Sequence, residues 1–178
     1  MVKLQRSNEH KTFKEIHQLF DERKRALRFF FDAHSFGYSE MEMKEKRKYL
    51  DYQLQEAEYD ASLALFGAIE AAFRLDCDYR RKRWLKDSRS KAVRQASGFP
   101  RDDFDYRISI TELFDILAND HSADHSTTNP TIDLLKVYFK YRNWLAHGRY
   151  WQLRLGINRP TFSDIFQAAK TIKNLLNG

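Results

Sequence analysis

From Glu40 to Leu85 the chain runs without a proline and with a single glycine, Gly67. Along this stretch Leu50, Leu54, Ala57, Ala61, Ala64, Ala68, Ala72 and Leu75 recur at steps of three and four. That spacing tracks the helical turn and lays one apolar stripe along a helix. A half-buried strand would need alternation by two, so the pattern predicts a long helix over residues 40–85. A second face opens from Leu63 onward, formed by Phe66, Glu70, Phe73 and Cys77. Between Ala61 and Phe73 the helix is apolar nearly all round. A helix of that kind belongs among other helices or inside a dimer interface.

The flanking segments read the same way. Phe13, Ile16, Leu19/Phe20, Leu27 and Phe30/Phe31 predict a first helix over residues 12–34. "SFGYS" (Ser35–Ser39) breaks it, and Ser39 with Glu42 has the spacing of a capping box. Ile110, Leu113, Phe114 and Leu117 predict a helix over 109–119. Asn129-Pro130 is the expected start of the next, because asparagine suits the cap and proline the first helical position. That helix runs through "TIDLLKVYFKYRNWLAH" and is expected to end near Gly148. Ile165, Phe166, Ala169, Ile172 and Leu175/Leu176 predict a last helix over 162–176. "GFPRDD", "NDHSADHSTTNP" and "LRLGINRP" are connections. Six glycines and three prolines in 178 residues disfavour a many-turned β-protein. The fold class is all-α, a bundle of about five helices in one domain spanning residues 1–178.

The formal charge is +6, a balance that favours polyanions such as RNA or acidic partners. From Arg80 to Arg94 the cations Arg80, Arg81, Lys82, Arg83, Lys86, Arg89, Lys91 and Arg94 stand against Asp87 alone. Arg80, Arg81, Lys82, Arg83 and Lys86 are candidates for an RNA backbone track; the bland alternative is a solvated face. Cys77 is the lone cysteine, so neither an intrachain disulfide nor a cysteine-rich metal site can form. A reducing cytoplasm fits that usage. The N-terminal residues lack an apolar leader core, and no run reaches the length of a membrane span. "HSADHS" sets His121 and His125 four apart, but in a polar loop without further ligands, so neither metal nor cofactor is expected.

One stretch concentrates chemistry: "YRNWLAHGRYW" (Tyr141–Trp151). Arg142 offers a planar fork for phosphate oxygens. His147 can move a proton near neutral pH, and Asn143 can orient either group. Asn143 and His147, four apart, share a helical face, whereas Arg142 lies about 140° away from His147 around the helix. One straight helix therefore does not aim all three at one ligand. They converge if the helix end unwinds or if a second helix, such as one from another subunit, closes the cleft. The competing reading is a core or interface histidine flanked by surface charges. Glu70 and Arg74, spaced i,i+4, form an intrahelical pair that either anchors this cleft or ties two helices together. Arg149 is a second phosphate contact or a solvated charge, and Tyr150 with the tryptophans packs or stacks on bases.

"RNWLAH" matches the Arg-x4-His signature of HEPN domains, with a polar residue directly after the arginine. The wider "YRNWLAHGRYW" resembles the run that recurs in one bacterial HEPN group. "LFGAIEAAFRLD" (Leu65–Asp76) and "RISITELFDIL" (Arg107–Leu117) are similar to that group as well. The resemblance covers roughly Ala61 to Leu176. It implies a small helical bundle that dimerises through its motif-bearing helices, and in many members a metal-independent endoribonuclease. In those, arginine and histidine from two subunits line one cleft, and the RNA 2′-hydroxyl attacks to leave a 2′,3′-cyclic phosphate. Carried over by position, Arg142 would hold the scissile phosphate, Asn143 would position groups, and His147 would transfer the proton. Such proteins act as toxins, some with an antitoxin partner, or as antiviral effectors, while other members only bind RNA, nucleotides or proteins. Members paired with a nucleotidyltransferase often carry a modifiable tyrosine two residues after the histidine. Here Tyr150 follows by three, a departure that counts against that role.

Overall fold

The computed structural model describes residues 9–32, 42–97, 108–120 and 125–177. Among them the chain forms six α-helices and no strand: α1 (Phe13–Phe30), α2 (Met43–Arg83), α3 (Ser88–Ser97), α4 (Ile110–Ala118), α5 (His125–Ala146) and α6 (Phe162–Asn177). The all-α class expected from the periodicity is observed. No helix among the described residues is long and apolar enough to cross a membrane. The "SFGYS" break, Ser39 of the expected capping box, "GFPRDD", His121 and Asp124 lie outside the described residues.

Local chemistry sets the helix ends. Thr12 caps α1 in a reciprocal box: its hydroxyl accepts from the Glu15 amide at 3.2 Å, and the Thr12 amide donates to the Glu15 carboxylate at 2.7 Å. Ser109 caps α4 by accepting from the Glu112 amide. Trp84 ends α2 in the left-handed region, at φ +54°.

Two helix expectations need correction. The expected count was about five helices, with no element assigned to the basic run, yet residues Ser88–Ser97 of that run fold back as α3. Asp87 starts that helix, since its carboxylate accepts from the Ser90 amide at 2.9 Å and its carbonyl from the Lys91 amide. In a sequence crowded with cations, this one acid was read as a charge rather than as a cap. The second correction is the start of α5, which lies at His125 and leaves Pro130 inside the helix. Proline there removes one backbone donor in the second turn. Thr128 and Ile132, both fully buried on either side, hold the added turn against the core.

α2, about 60 Å long at the helical rise, is the axis of the bundle. α1 runs antiparallel to it: Phe31 lies against Tyr49, Arg23 pairs with Asp60, and Phe13 faces Ala68 and Ala72. α5 is also antiparallel, with Phe66 beside Phe139 and Tyr141, and Glu56 joined to Arg149. α6 runs parallel, from Glu58 at the Phe162 amide to Leu176 near Leu75 and Asp76. Within the core, Phe73, Phe114, Phe139 and Phe66 meet edge to face at 5.0–5.3 Å. That geometry matches the ring quadrupoles. The chain of rings continues from Phe66 through buried Tyr141 to Trp144, so the candidate stretch is built onto the core.

Candidate functional site

The end of α5 is fixed by its own backbone. The Arg149 amide donates to the Trp144 carbonyl at 3.1 Å and the Gly148 amide to the Leu145 carbonyl at 3.3 Å. These two bonds form a Schellman motif, which places His147 at the C-cap and Gly148 at the left-handed position, φ +79°. Arg149 follows at φ +60°, uncommon for a residue with a side chain. The double left-handed turn swings Arg149 back onto α2. There its guanidinium grips Glu56 through two bonds, 2.6 and 2.9 Å, and lies over the Tyr59 ring. The Glu56 carboxylate raises the Arg149 pKa further above its ordinary value. Trp144 Nε1 donates to the Trp151 carbonyl at 2.8 Å, closing the loop from the other side.

Within this frame Tyr141 and Leu145 are buried, while Asn143 and His147 are exposed on the opposite face. Burial raises the Tyr141 hydroxyl pKa well above the tyrosine range, so that phenol stays protonated. The His147 ring lies 5.8 Å from Trp151, which in turn meets Tyr150 edge-on at 4.5 Å. Tyr150 itself is 82% exposed.

Arg142 reaches sideways in two directions. Its Nη1 donates to Asn143 Oδ1 at 3.2 Å, and its Nη2 approaches Glu70 Oε2 at 3.4 Å. Glu70 is shared: Arg74 holds the other carboxylate oxygen at 2.8 and 3.0 Å and also donates to the Ile108 carbonyl. Arg142, Asn143, Glu70 and Arg74 thus form one connected cluster, with two guanidinium groups on a single carboxylate. Arg74 makes the shorter bonds. Arg142 is the looser partner, and its side chain keeps 34% of its surface in solvent. The bond to Asn143 links Arg142 to the residue that stands one turn before His147 on the exposed face.

The basic run behaves differently. Arg80 is bonded to both oxygens of Asp76 at 2.9 Å and to Asp87 at 3.1 Å. Arg81 is buried beside Asp78 at 3.6 Å, and Lys82 reaches the same carboxylate at 3.1 Å. Arg89 and Arg94, both buried, donate to backbone carbonyls: Leu175 and Leu176 for Arg89, Leu85 for Arg94. Burial pushes the Asp76 carboxyl above the usual range, opposed by the Arg80 charge. Arg80 and Arg81 therefore sit in internal ion pairs, whereas Lys82, Arg83 and Lys86 reach solvent.

Sequence reading missed Glu56 and Tyr59, which hold the loop after α5. They lie on the same stripe of α2, three residues apart, but nothing in a single sequence links Glu56 to Arg149. Among the described residues no group of three or more acidic, histidine or cysteine side chains is arranged to hold a metal. Compared with protein-family models, with curated proteins and with solved structures, the chain matches none.

Proposed function

We propose that this protein is a HEPN-type endoribonuclease that works as a homodimer and cuts RNA without a metal. The observation that carries the reading is the end of α5. A partly exposed Arg142 is tethered by Asn143 and Glu70, and one turn beyond Asn143 a histidine is presented to solvent at the helix C-cap. Two such half-sites facing each other supply two cations for one phosphate and two imidazoles for its proton transfers. In the reaction, His147 of one copy takes the proton of the RNA 2′-hydroxyl as that oxygen bonds to phosphorus. The bond from phosphorus to the 5′-oxygen breaks, and the leaving oxygen takes a proton from His147 of the other copy. A 2′,3′-cyclic phosphate and a 5′-hydroxyl result. Arg142 neutralises the charge that builds on the phosphate oxygens, exchanging its long bond to Glu70 for one to phosphate. Arg74 stays on Glu70 and keeps that carboxylate from being stranded. Lys82, Arg83 and Lys86 extend the contact along the RNA backbone, and the cellular setting is a cytoplasmic toxin or antiviral effector, restrained by an antitoxin.

The test is purified protein with single-stranded and structured RNA in EDTA. Wild type leaves cyclic phosphate ends, and His147→Ala cuts at least about 10²-fold more slowly with an unchanged circular dichroism spectrum, because the residue is exposed. No cleavage by wild type, or equal cleavage by the variant, overturns the reading. One observation favours a second: Glu70 already partners Arg142 in the free protein. A non-catalytic module would use that arginine only to hold RNA, a nucleotide or a protein, with Arg142-dependent, salt-sensitive binding and intact RNA.

A further inference from the structure

Away from the end of α5, a groove of about 550 Å³ lies between the chain entering α1, the second half of α2 and the end of α6. It exists because α1 begins only at Phe13 and because the α2 side chains below that point are short. Ala68 and Ala72 belong to the stripe that the sequence pattern marks as apolar, yet they and Leu75 are only partly covered. Together with Phe13 and Leu176 they form an apolar floor. A cavity of this size falls in the range of sites that enclose small molecules, roughly 300–1,000 Å³.

The rim is cationic. Lys11 and Lys173 approach from the α1 and α6 sides, with His10 beside Lys11. Among the described residues, two acids near the groove already have partners. Asp76, at the far end, is bonded through both oxygens to Arg80. Glu15 accepts from the amide and hydroxyl of Thr12, and His10 and Lys11 also help to stabilise its charge. An apolar floor flanked by two lysines suits an amphipathic anion. We propose that this groove binds an amphipathic anion, a small molecule with an apolar chain or ring system and one carboxylate. The apolar body covers Phe13, Ala68, Ala72 and Leu75, and the carboxylate meets Lys11 and Lys173. Residues 1–8 of the chain are the wrong charge for the rim, since they carry Lys3 and Arg6 and no acid.

The full-length protein is titrated by calorimetry with decanoate below its micelle concentration, and with decanol as the uncharged counterpart. Decanoate binds saturably, and decanol at least about tenfold more weakly, because it lacks the charge-assisted contact. Lys173→Glu, an exposed change, weakens decanoate by a similar factor. Ala72→Leu fills the floor and abolishes binding while the helical spectrum stays unchanged. The proposal is overturned if decanoate does not saturate, if decanol binds equally well, or if binding survives both substitutions. It is also overturned if decanoate fails to bind and Ala72→Leu alters the oligomeric state by light scattering, which assigns the groove to a second copy.

Discussion

Arg89 and Arg142 both reach from one helix to groups held by another, but their surroundings differ. Arg89 is 5% exposed and lies between α3, α4 and the end of α6. It donates to the carbonyls of Leu175 and Leu176 and stands 3.7 Å from Asp120 and 3.9 Å from Asp76. Arg142 is a third exposed and bonds two side chains that can move, Asn143 and Glu70. Backbone carbonyls at a helix end have nowhere to go, so an arginine that satisfies them is a structural tie. An arginine that leans on a carboxylate already held by a second arginine can leave without stranding it. Number of charges is thus the wrong measure of a binding surface. What separates the two regions is whether the partner of each cation survives its departure.

The sharpest way to break the comparison is Arg89→Ala. It removes a buried cation 3.7 Å from Asp120, itself buried, and it uncovers the α6 carbonyls. Removing one member of a buried pair costs about 3–5 kcal/mol, so urea unfolding should show a midpoint shift of that size. A loss below about 1 kcal/mol would place Arg89 with Arg142 among replaceable surface cations.

The fold and the site differ in how far they can be read from the sequence. Helices α1, α2, α4 and α6 follow from apolar spacing and caps such as Thr12 and Ser109, because those signals are local. α3 was hidden because its cap, Asp87, stands in a row of cations. Among the described residues, Asp76, Asp78 and Asp87 partner that row from close by in sequence, and Asp120 from a distance. Asp76 and Asp78 precede the run, so counting from Arg80 left them out. In the candidate site, the intrahelical Glu70–Arg74 pair was readable from its spacing. The 3.4 Å approach of Arg142 to Glu70 was open to inference only as a possibility, because packing of α5 on α2 sets it. The grip of Glu56 on Arg149, across 93 positions of chain, depends wholly on that packing.

A smaller effect is expected from Gly148→Ala. The glycine stands at φ +79° with open space around its Cα, so an added methyl meets no neighbour and the cost is conformational. That cost is about 1–2 kcal/mol, read as a lowered urea midpoint. Because Arg149 also adopts a positive φ, the strain falls on the turn that sets His147 at the C-cap. Cleavage should therefore fall by more than the loss of stability explains under conditions where the variant is fully folded. Equal activity per folded molecule would mean that the turn only closes the helix.

The smallest change in stability is expected from Arg142→Ala, and it is the one that completes the comparison with Arg89. The variant loses a long contact to Glu70 and one to exposed Asn143, worth together about 0–1 kcal/mol in solvent. Glu70 keeps both bonds from Arg74, so no buried carboxylate is left unpaired. The unfolding midpoint should hardly move, while RNA binding weakens and its dependence on salt becomes shallower by about 0.7 in the logarithmic slope, the increment for one phosphate on a single strand. A large drop in stability with an unchanged slope would reverse the assignment. Arg142 would then be a tie between α5 and α2, and the cation that meets RNA would have to be sought elsewhere, at exposed Arg83 and Lys86. The two measurements are independent, since one reads the folded protein alone and the other reads only the charge it presents to RNA.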